Sequence, residues 1–236
     1  MLDKNFLQDN AKKMDFAITD EQCEKFEKYA QILVEWNEKI NLTSIIKPEE
    51  IIIKHFIDSI MLLKHMPQEK EFSLIDIGAG AGFPSIPCKI MNNKINSTLF
   101  DSLNKRINFL EFLANELNIN VICKHARAEE VAHESEFREK YDIATARAVA
   151  NLRDLCEYCL PYVKVGGKFI ALKGYDIEEE LEEAKNAIKL LGGEIAEVVK
   201  YQLPDESKRA IVCINKISQT PTKYPRNKGK MKKQPL

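Results

Sequence analysis

The chain has 236 residues, of which 44% are hydrophobic and 30% are charged, a composition typical of a globular protein with a sizeable core. It has no run of about 18 apolar residues that would cross a membrane, and residues 1–14 lack the apolar stretch of a secretory signal, so we expect a cytoplasmic protein with reduced cysteines and no membrane partner. The formal net charge is −1, but residues 218–236 hold six basic and no acidic side chains, which leaves −7 for residues 1–217.

Residues 1–66 are predicted to form a helical N-terminal extension. Thr19 and Gln22 have the spacing of a capping box, and apolar residues recur at helical spacing after them. Pro48 stands where the first turn of a helix accepts proline, ahead of a second apolar stripe. The stretch between the two helices, residues 37–46, predicts a turn.

Residues 67–217 alternate strand-like and helix-like patterns, which indicates an α/β domain with a Rossmann-like fold. The first five of seven predicted strands alternate with helices, and such crossover connections require a parallel sheet. The last two strands are joined only by the short polar stretch PDESKR, which predicts an antiparallel hairpin at one edge. The predicted strands are 72–77, 97–101, 119–124, 141–146, 167–173, 194–202 and 209–216; the predicted helices are 83–92, 104–117, 151–163 and 176–191, with a weaker turn or helix near 128–138.

Residues 218–236 predict a basic, flexible tail. An acidic body that carries a basic arm favours binding of a polyanion, and a solvated tail without any partner is the alternative.

The stretch SLIDIGAGAGFPSIPCKI, residues 73–90, runs from the first strand through three glycines into a helix. This order predicts a ligand at the carboxyl end of the strand, beside a helix N-terminus. A P-loop requires Gly-Lys-Ser/Thr, and here Gly82 is followed by Phe83, so a P-loop is excluded. Phe83 also stands where a dinucleotide fingerprint would have its third glycine, which weakens that reading. The pattern Asp-x-Gly-x-Gly-x-Gly, from Asp76 to Gly82, suits S-adenosylmethionine, which has no pyrophosphate.

The ends of the next two strands carry acids that suit a nucleoside. Asp101 closes the second strand, 19 residues after Gly82, where a carboxylate accepts hydrogen bonds from ribose hydroxyls. This feature is shared by dinucleotide and S-adenosylmethionine sites. Glu129, after the third strand, is either a contact to the adenine edge or an exposed acid at the start of a helix.

The chain closely resembles the small-subunit ribosomal RNA guanine-N7 methyltransferases, historically called glucose-inhibited division protein B. The resemblance covers nearly the whole chain. TARAVANL and ALKG are its most specific parts, because they stand in place of the Asn/Asp-Pro-Pro-Tyr motif of many exocyclic-amine methyltransferases. The matching stretches are NLTSI, KHFIDSI, DIGAGAGFPSIPCKI, DSLNKRINFL, ARAEE, TARAVANL, GGKFIALKG and KYPRNKGKMKKQPL.

The resemblance implies transfer of a methyl group from S-adenosylmethionine to N7 of one guanine in small-subunit ribosomal RNA, without a dedicated general base. It implies cofactor contacts at Gly78, Phe83, Ala128, Glu129 and Arg147, to which we add Asp101 at the ribose.

Two basic residues at predicted strand ends are candidates for positioning roles in the reaction. Arg147 is expected to contact the cofactor or a phosphate. Lys173 either holds the RNA backbone or guanine O6, or is a surface lysine at a strand end. The predicted partner is small-subunit ribosomal RNA or the ribosomal subunit, and we expect a monomer.

No metal is expected. Cys156 and Cys159 form C-x-x-C, but no second pair or histidine lies at zinc spacing, so they are interpreted as buried neighbours on a helix. His55 is interpreted as a structural histidine. Two alternatives to the methyltransferase remain: a nicotinamide-dependent oxidoreductase, and a non-catalytic RNA-binding assembly factor that retains a cofactor pocket.

Overall fold

The computed structural model describes residues 2–147 and 150–236. These residues form one seven-stranded sheet with the strand order β3-β2-β1-β4-β5-β7-β6. Strands β1 to β5 are parallel, whereas β7 is antiparallel to both β5 and β6. The strands are β1 (Phe72–Ile77), β2 (Ile95–Asp101), β3 (Val121–His125), β4 (Tyr141–Arg147), β5 (Val163–Gly174), β6 (Gly193–Gln202) and β7 (Lys208–Lys216). The predicted Rossmann-like fold with an antiparallel edge hairpin is confirmed.

The helices follow the predicted order, with two additions: α1 (Lys4–Lys13), before the first predicted helix, and α9 (Lys228–Lys233), in the tail that was predicted to be flexible. The capping box of Thr19 and Gln22 is formed by both of its hydrogen bonds. The helices are α1 (Lys4–Lys13), α2 (Asp20–Ile40), a helical run α3 over residues 48–65, α4 (Ser85–Met91), α5 (Asn104–Glu116), α6 (Ala128–Val131), α7 (Leu152–Cys159), α8 (Glu178–Leu190) and α9 (Lys228–Lys233).

Three predicted boundaries differ from the structure by about four residues, and the others differ by one or two. Helix α7 ends at Cys159 because Pro161 lies in a single 3₁₀ turn that leads directly into β5. Strand β5 therefore begins four residues earlier than predicted and passes through Gly166, which has φ of +87°. Helix α2 runs to Ile40, so the turn predicted over 37–46 starts only at residue 41.

The sheet is covered on both faces, and the N-terminal helices belong to one of these layers. Buried residues of α1, α2 and α3 form one apolar cluster with α4, α5 and the facing side of the sheet. Helices α7 and α8 cover the other face in a second cluster. The boundary predicted at residue 66 therefore crosses a continuous apolar core, and the division into domains stays a prediction. Among the described residues, no helix is both long and apolar enough to cross a membrane.

Helix α3 has an irregular backbone next to the sheet edge where a ligand is expected. It contains a π-helical turn over Ile51–Ile57 and ends in a 3₁₀ turn over Met61–His65. Wide turns of this kind are rare in helices and are frequent at functional sites. Here the turn carries His55 and is followed directly by Asp58, and both side chains are buried.

Candidate active site

The three glycines after β1 form a tight turn with left-handed backbone conformations. Gly78, Gly80 and Gly82 have φ of 73°, 60° and 91°. The amide of Gly78 donates to Phe100 O at 2.8 Å, and that of Gly80 donates to Asp101 Oδ2 at 2.9 Å. The turn is thus fixed to the end of β2, at the point between β1 and β4 where the strand order reverses and where open α/β sheets bind ligands.

The N-terminal extension supports this turn from below. The Tyr29 hydroxyl of α2 donates to Ala81 O at 2.5 Å, and its ring stacks on Phe83 with centroids 5.2 Å apart. Both side chains are almost fully buried. Helix α2 therefore belongs to the machinery that shapes the turn, a function that its amphipathic pattern alone did not reveal.

Two cavities open at this edge of the sheet and share Gly78, Asp101 and Ser102. The large cavity has a volume of about 600 Å³ and the small cavity about 420 Å³. Ala128 and Glu129 line the large cavity. The small cavity is lined by the glycine turn, Phe83 and Arg147, together with Thr43 and His55 from the helical extension. The structure therefore brings together all six residues predicted to contact the cofactor.

Arg147, at the end of β4, is held in the wall of the small cavity by groups from α3. Its Nη1 donates to Lys54 O at 3.3 Å and lies 3.4 Å from Asp58 Oδ2. Its Nη2 lies 3.2 Å from His55 Nδ1, and the guanidinium lies over the Phe83 ring, 4.7 Å from the centroid. A rigid fork on a largely buried arginine has one orientation, which suits a group that positions a ligand.

His55 is a neutral acceptor for Arg147. Burial and the neighbouring guanidinium lower the pKa of His55 to about 3. Since Nδ1 accepts from Arg147, Nε2 carries the proton and donates to Thr43 Oγ1 at 2.9 Å. Thr43 lies in the NLTSI stretch, and its role had no signal in the sequence beyond the family resemblance.

Asp58 is the anionic partner of Arg147 beneath the small cavity. Its Oδ1 accepts from the Tyr201 hydroxyl at 2.8 Å and lies 3.9 Å from Arg209 Nε. Burial raises the pKa of Asp58, while Arg147 and Tyr201 act in the opposite direction. Asp58 lines neither cavity, so its carboxylate holds Arg147 from outside them.

Asp101, predicted to bind the ribose, is already engaged with the protein. Its Oδ1 accepts from Leu103 N at 2.9 Å, and its Oδ2 accepts from Gly80 N and from Arg106 Nη1, the latter at 3.3 Å. A carboxylate offers about four lone-pair sites, so capacity for a further donor remains. The ribose contact stays a prediction.

Ala128 and Glu129 begin α6 at the far wall of the large cavity. Ala128 O accepts from the Tyr162 hydroxyl at 2.6 Å, which fixes the start of this helix. No hydrogen bond among the described residues uses the Glu129 carboxylate, so it is available to a ligand in the cavity.

Lys173 is paired inside the protein. Its Nζ lies 2.6 Å from Glu180 Oε2 and donates to Ala150 O at 3.0 Å, and its side chain is 9% exposed. Glu180 also accepts from Leu152 N at 2.7 Å. Lys173 lines neither cavity among the described residues, so a contact with guanine or RNA stays a prediction that requires this ion pair to open.

Asp76 lies beneath the glycine turn with an unpaired oxygen. Its Oδ2 accepts from the Ser85 hydroxyl at 2.6 Å, but its Oδ1 is buried and has no partner among the described residues. Burial raises the pKa of Asp76 to about 7. A buried oxygen without a donor indicates that this side chain awaits a hydrogen bond from a bound group or a water.

Asp76 and His55 are expected to make opposite contributions to the pH dependence of stability. The folded-state pKa of Asp76 is raised, so its contribution is lost as the pH rises from about 4 to about 7. The folded-state pKa of His55 is lowered, so its contribution is lost as the pH falls from about 6.5 toward about 3. The two slopes partly cancel between about pH 4 and 6.5.

The variant Asp76→Asn is expected to gain stability relative to the wild type as the pH rises from about 4 to 7. The difference in the free energy of unfolding between the variant and the wild type should grow by at most about 1.4 kcal/mol per pH unit. It should stay constant above about pH 7.5. Urea unfolding of both unliganded proteins across this range measures it, and His55→Gln serves as the matched variant with the opposite sign. A flat difference curve for Asp76→Asn would contradict the raised pKa.

Cys156 and Cys159 are buried free thiols, as the sequence predicted. Elsewhere, His65, Glu197 and Cys213 place three potential ligand atoms within 4.8 Å of one another at the β6–β7 edge. A hydrogen bond of 2.7 Å between His65 Nδ1 and Glu197 Oε1 accounts for that arrangement. The expectation that the protein uses no metal stays a prediction.

Comparison with known sequences gives one consistent answer. The profile of the family described as rRNA small subunit methyltransferase G matches residues 22–212. A curated protein of Clostridium botulinum (strain Loch Maree / Type A3), named ribosomal RNA small subunit methyltransferase G, is 48% identical over 234 residues, which is 98% of each chain. A protein of the same name from Streptococcus pneumoniae serotype 19F is 50% identical over 221 residues, or 93% of each chain.

Comparison with solved structures supports the fold. A ribosomal protein L11 methylase from Lactobacillus delbrueckii subsp. bulgaricus superimposes with a TM-score of 0.53 at 16% identity, covering 70% of this chain and 79% of the other. A geranyl diphosphate methyltransferase solved with S-adenosylmethionine gives a TM-score of 0.53 at 13% identity, covering 67% and 84%. At such low identity these likenesses show the shared fold alone.

Proposed function

The chain belongs to the rRNA small subunit methyltransferase G family, and on that premise we propose that it transfers the methyl group of S-adenosylmethionine to N7 of a guanine in small-subunit ribosomal RNA. The observation that carries the proposal is the pair of cavities joined at the glycine turn. The large cavity has room for a nucleoside, and the small cavity places Arg147 beside the same turn.

The residues at the turn fit a sulfonium nucleoside. The unpaired Asp76 Oδ1 is buried and lines neither cavity, so a water would relay a hydrogen bond to it from the amino group of the methionine moiety. Gly78 and the backbone at Phe83 would hold the methionine moiety, and Asp101 the ribose. Ala128 and Glu129 would hold the adenine, with the Glu129 carboxylate accepting from its exocyclic amine.

The proposed reaction requires alignment more than acid–base chemistry. S-adenosylmethionine supplies an electrophilic methyl group on a cationic sulfur. Guanine N7 carries a free lone pair and no proton, so no group on the protein has to remove a proton from it. His55 suits such a mechanism, because both of its ring nitrogens are engaged and its pKa is lowered to about 3. Alignment of reacting groups alone can lower a barrier by roughly 7–11 kcal/mol.

Arg147 is the residue proposed to provide that alignment. Its fork is fixed by His55 and Asp58 and lines the small cavity beside the turn. Donors of this geometry suit the methionine carboxylate or the acceptors N7 and O6 on the guanine edge. Arg106, which lines the same cavity, would add positive charge for the RNA backbone.

The proposed substrate is a polyanion. Residues 1–217 have a net charge of −7, so they do not attract it. The five lysines of residues 218–236 supply the missing attraction, whereas Arg226 is paired with Glu157. Such binding weakens steeply as salt rises. Action in the cytoplasm and a monomeric state remain part of the proposal.

A methyl-transfer assay tests the proposed function. The protein is incubated with radiolabelled S-adenosylmethionine and small ribosomal subunits from cells that lack the protein, and N7-methylguanine is mapped by reduction and strand cleavage. We expect label at a single guanine of the ribosomal RNA. Subunits isolated from cells that contain the active protein are the matched control. Their guanine is already methylated, so they should accept little label.

Two other results would overturn the proposal in different ways. Binding of S-adenosylhomocysteine without any label in the RNA would favour the non-catalytic assembly factor. Thermal stabilisation by NAD(H) and none by S-adenosylhomocysteine would favour the oxidoreductase.

A further inference from the structure

The tail, residues 218–236, is fixed to the body of the protein through its backbone. Arg138 donates to the carbonyls of Thr220 at 2.7 Å, Pro221 at 3.2 Å and Tyr224 at 2.9 Å. His133 Nε2 lies 2.8 Å from Pro225 O. A single guanidinium that binds three carbonyls of one segment recognises a specific path of the chain, so the first part of the tail has a defined position.

Arg226 then fixes the tail to α7 through a buried carboxylate. Glu157 is 2% exposed, and its two oxygens accept from Arg226 Nε at 2.8 Å and Nη2 at 2.7 Å. The remaining Nη1 donates to Gln234 O at 2.7 Å, at the end of α9. Arg226 therefore connects both α7 and the far end of α9, and bidentate pairs of this kind define orientation as well as distance.

Helix α9 lies against the large cavity as a result. Lys228, Met231 and Lys232 line it, opposite Ala128 and Glu129, and Asp154 and Tyr158 of α7 line the same cavity. Met231 is 2% exposed, yet it belongs to neither of the two apolar clusters of the core. The part of this side chain that lines the cavity is apolar, and an apolar surface in that place suits the face of a purine base.

We infer that α9 is a functional wall of the large cavity, which retains the nucleoside of the cofactor through Met231 and is held in place by Arg226. The inference rests on the proposed function, because it assigns the large cavity to the adenosine moiety. It gives the basic tail a role in cofactor binding in addition to the attraction of RNA.

The face of α9 supports this assignment. Lys228 and Lys232 are four residues apart, so they lie on the same side of the helix, next to Met231. Glu129 and Asp154 line the same cavity. Lys230 and Lys233 are exposed and do not line the cavity. The helix therefore presents one face to the cofactor and another to solvent, which permits a matched comparison within a single element.

Calorimetric titration with S-adenosylhomocysteine tests the inference on the full chain, on a deletion of residues 227–236, and on Met231→Ala. We expect the deletion to weaken binding by about tenfold, as loss of one buried methionine-sized contact predicts, and Met231→Ala to account for a large part of that loss. Circular dichroism of the unliganded proteins checks that the fold is retained. If the deletion fails to fold, Met231→Ala carries the test.

The double variant Lys230→Ala, Lys233→Ala is the matched control and should change the affinity by less than about twofold. Equal affinity of the full chain, the deletion and Met231→Ala would overturn the inference and leave the proposed function standing. An effect of the double variant as large as that of the deletion would overturn it too, because charge and not the wall would then be responsible. A full chain that binds no S-adenosylhomocysteine would overturn the proposed function and the inference together.

Discussion

Replacing Arg147 with alanine is expected to lower kcat/KM for methyl transfer to ribosomal RNA by about 10²–10³-fold, the usual effect of removing a fixed donor from an active site. The guanidinium is held by His55 and Asp58 and lines the small cavity together with His55. Its loss removes a donor that is already oriented, so that no free energy is spent on orienting it during the reaction. Initial rates with labelled cofactor and undermethylated subunits measure the effect.

The same substitution leaves Asp58 in a buried site with fewer partners. The hydrogen bond from Tyr201 at 2.8 Å and the more distant Arg209 Nε at 3.9 Å remain. Removal of the nearest cation raises the pKa of this carboxyl further, so the variant should be less destabilised at pH 5.5 than at pH 8. Unfolding measured at both pH values separates this loss of stability from the loss of activity.

Arg209→Ala is the matched control, because Arg209 approaches the same carboxylate at its other oxygen, Oδ1, and lines neither cavity. We expect it to keep most of the activity. Arg147→Lys retains a charge but cannot span His55 and Asp58 together, so it should recover little. Arg147→Ala activity within about threefold of the wild type, in a protein that is still folded, would exclude a positioning role for this side chain.

The fold was predictable because its signals are local. Each parallel strand contains an apolar stretch and is followed by a helix. The connection PDESKR is too short for a crossover, so only a hairpin fits it. The predicted boundaries differ from the structure where a single residue determines the end of an element. Pro161, for example, ends α7 early. Alternation of elements along the chain thus determined the architecture, and single residues determined the ends of the elements.

The strand-end residues of the site were predictable for a related reason. The carboxyl ends of parallel strands lie at one edge of a sheet, so Gly78, Asp101, Glu129 and Arg147 had to lie near one another. Which of these side chains are free was not predictable. Asp101 accepts from Leu103 N in the turn after β2 and from Gly80 N in the glycine turn after β1, an arrangement that depends on backbone geometry and not on residue type.

Contacts between distant segments left no signal in the sequence. Thr43 and His55 come from a turn and an irregular helix more than ninety residues before Arg147, and neither periodicity nor composition relates them to it. The prediction of a flexible tail differs from the structure for the same reason. Its composition is typical of a solvated arm, yet Arg138 and Glu157 fix it through backbone carbonyls and one arginine.

Gly82→Ala is expected to destabilise the protein far more than Gly80→Ala, because a Cβ at Gly80 would meet only Gly78 O at 3.8 Å. A Cβ at Gly82 would lie 2.7 Å from Ile86 Cγ1 and 2.8 Å from Tyr29 Oη, and both side chains are fully buried. With φ of +91°, the backbone itself is also unfavourable for alanine. Overpacking and the left-handed backbone together should cost about 2–5 kcal/mol, a fall in Tm of roughly 5–15 °C.

Gly166→Ala separates these two causes, because Gly166 has a similar φ of +87° but no atom within 4 Å of an added Cβ. It should show only the backbone cost, about 1–2 kcal/mol. Gly82→Ala should in addition move the turn that bears Ala81 and Phe83 into the small cavity, and weaken S-adenosylhomocysteine binding by more than about tenfold, while Gly166→Ala leaves that affinity unchanged. Equal losses of stability in the two variants, with equal affinities, would mean that close packing of Tyr29 and Ile86 against the glycine turn does not shape the site.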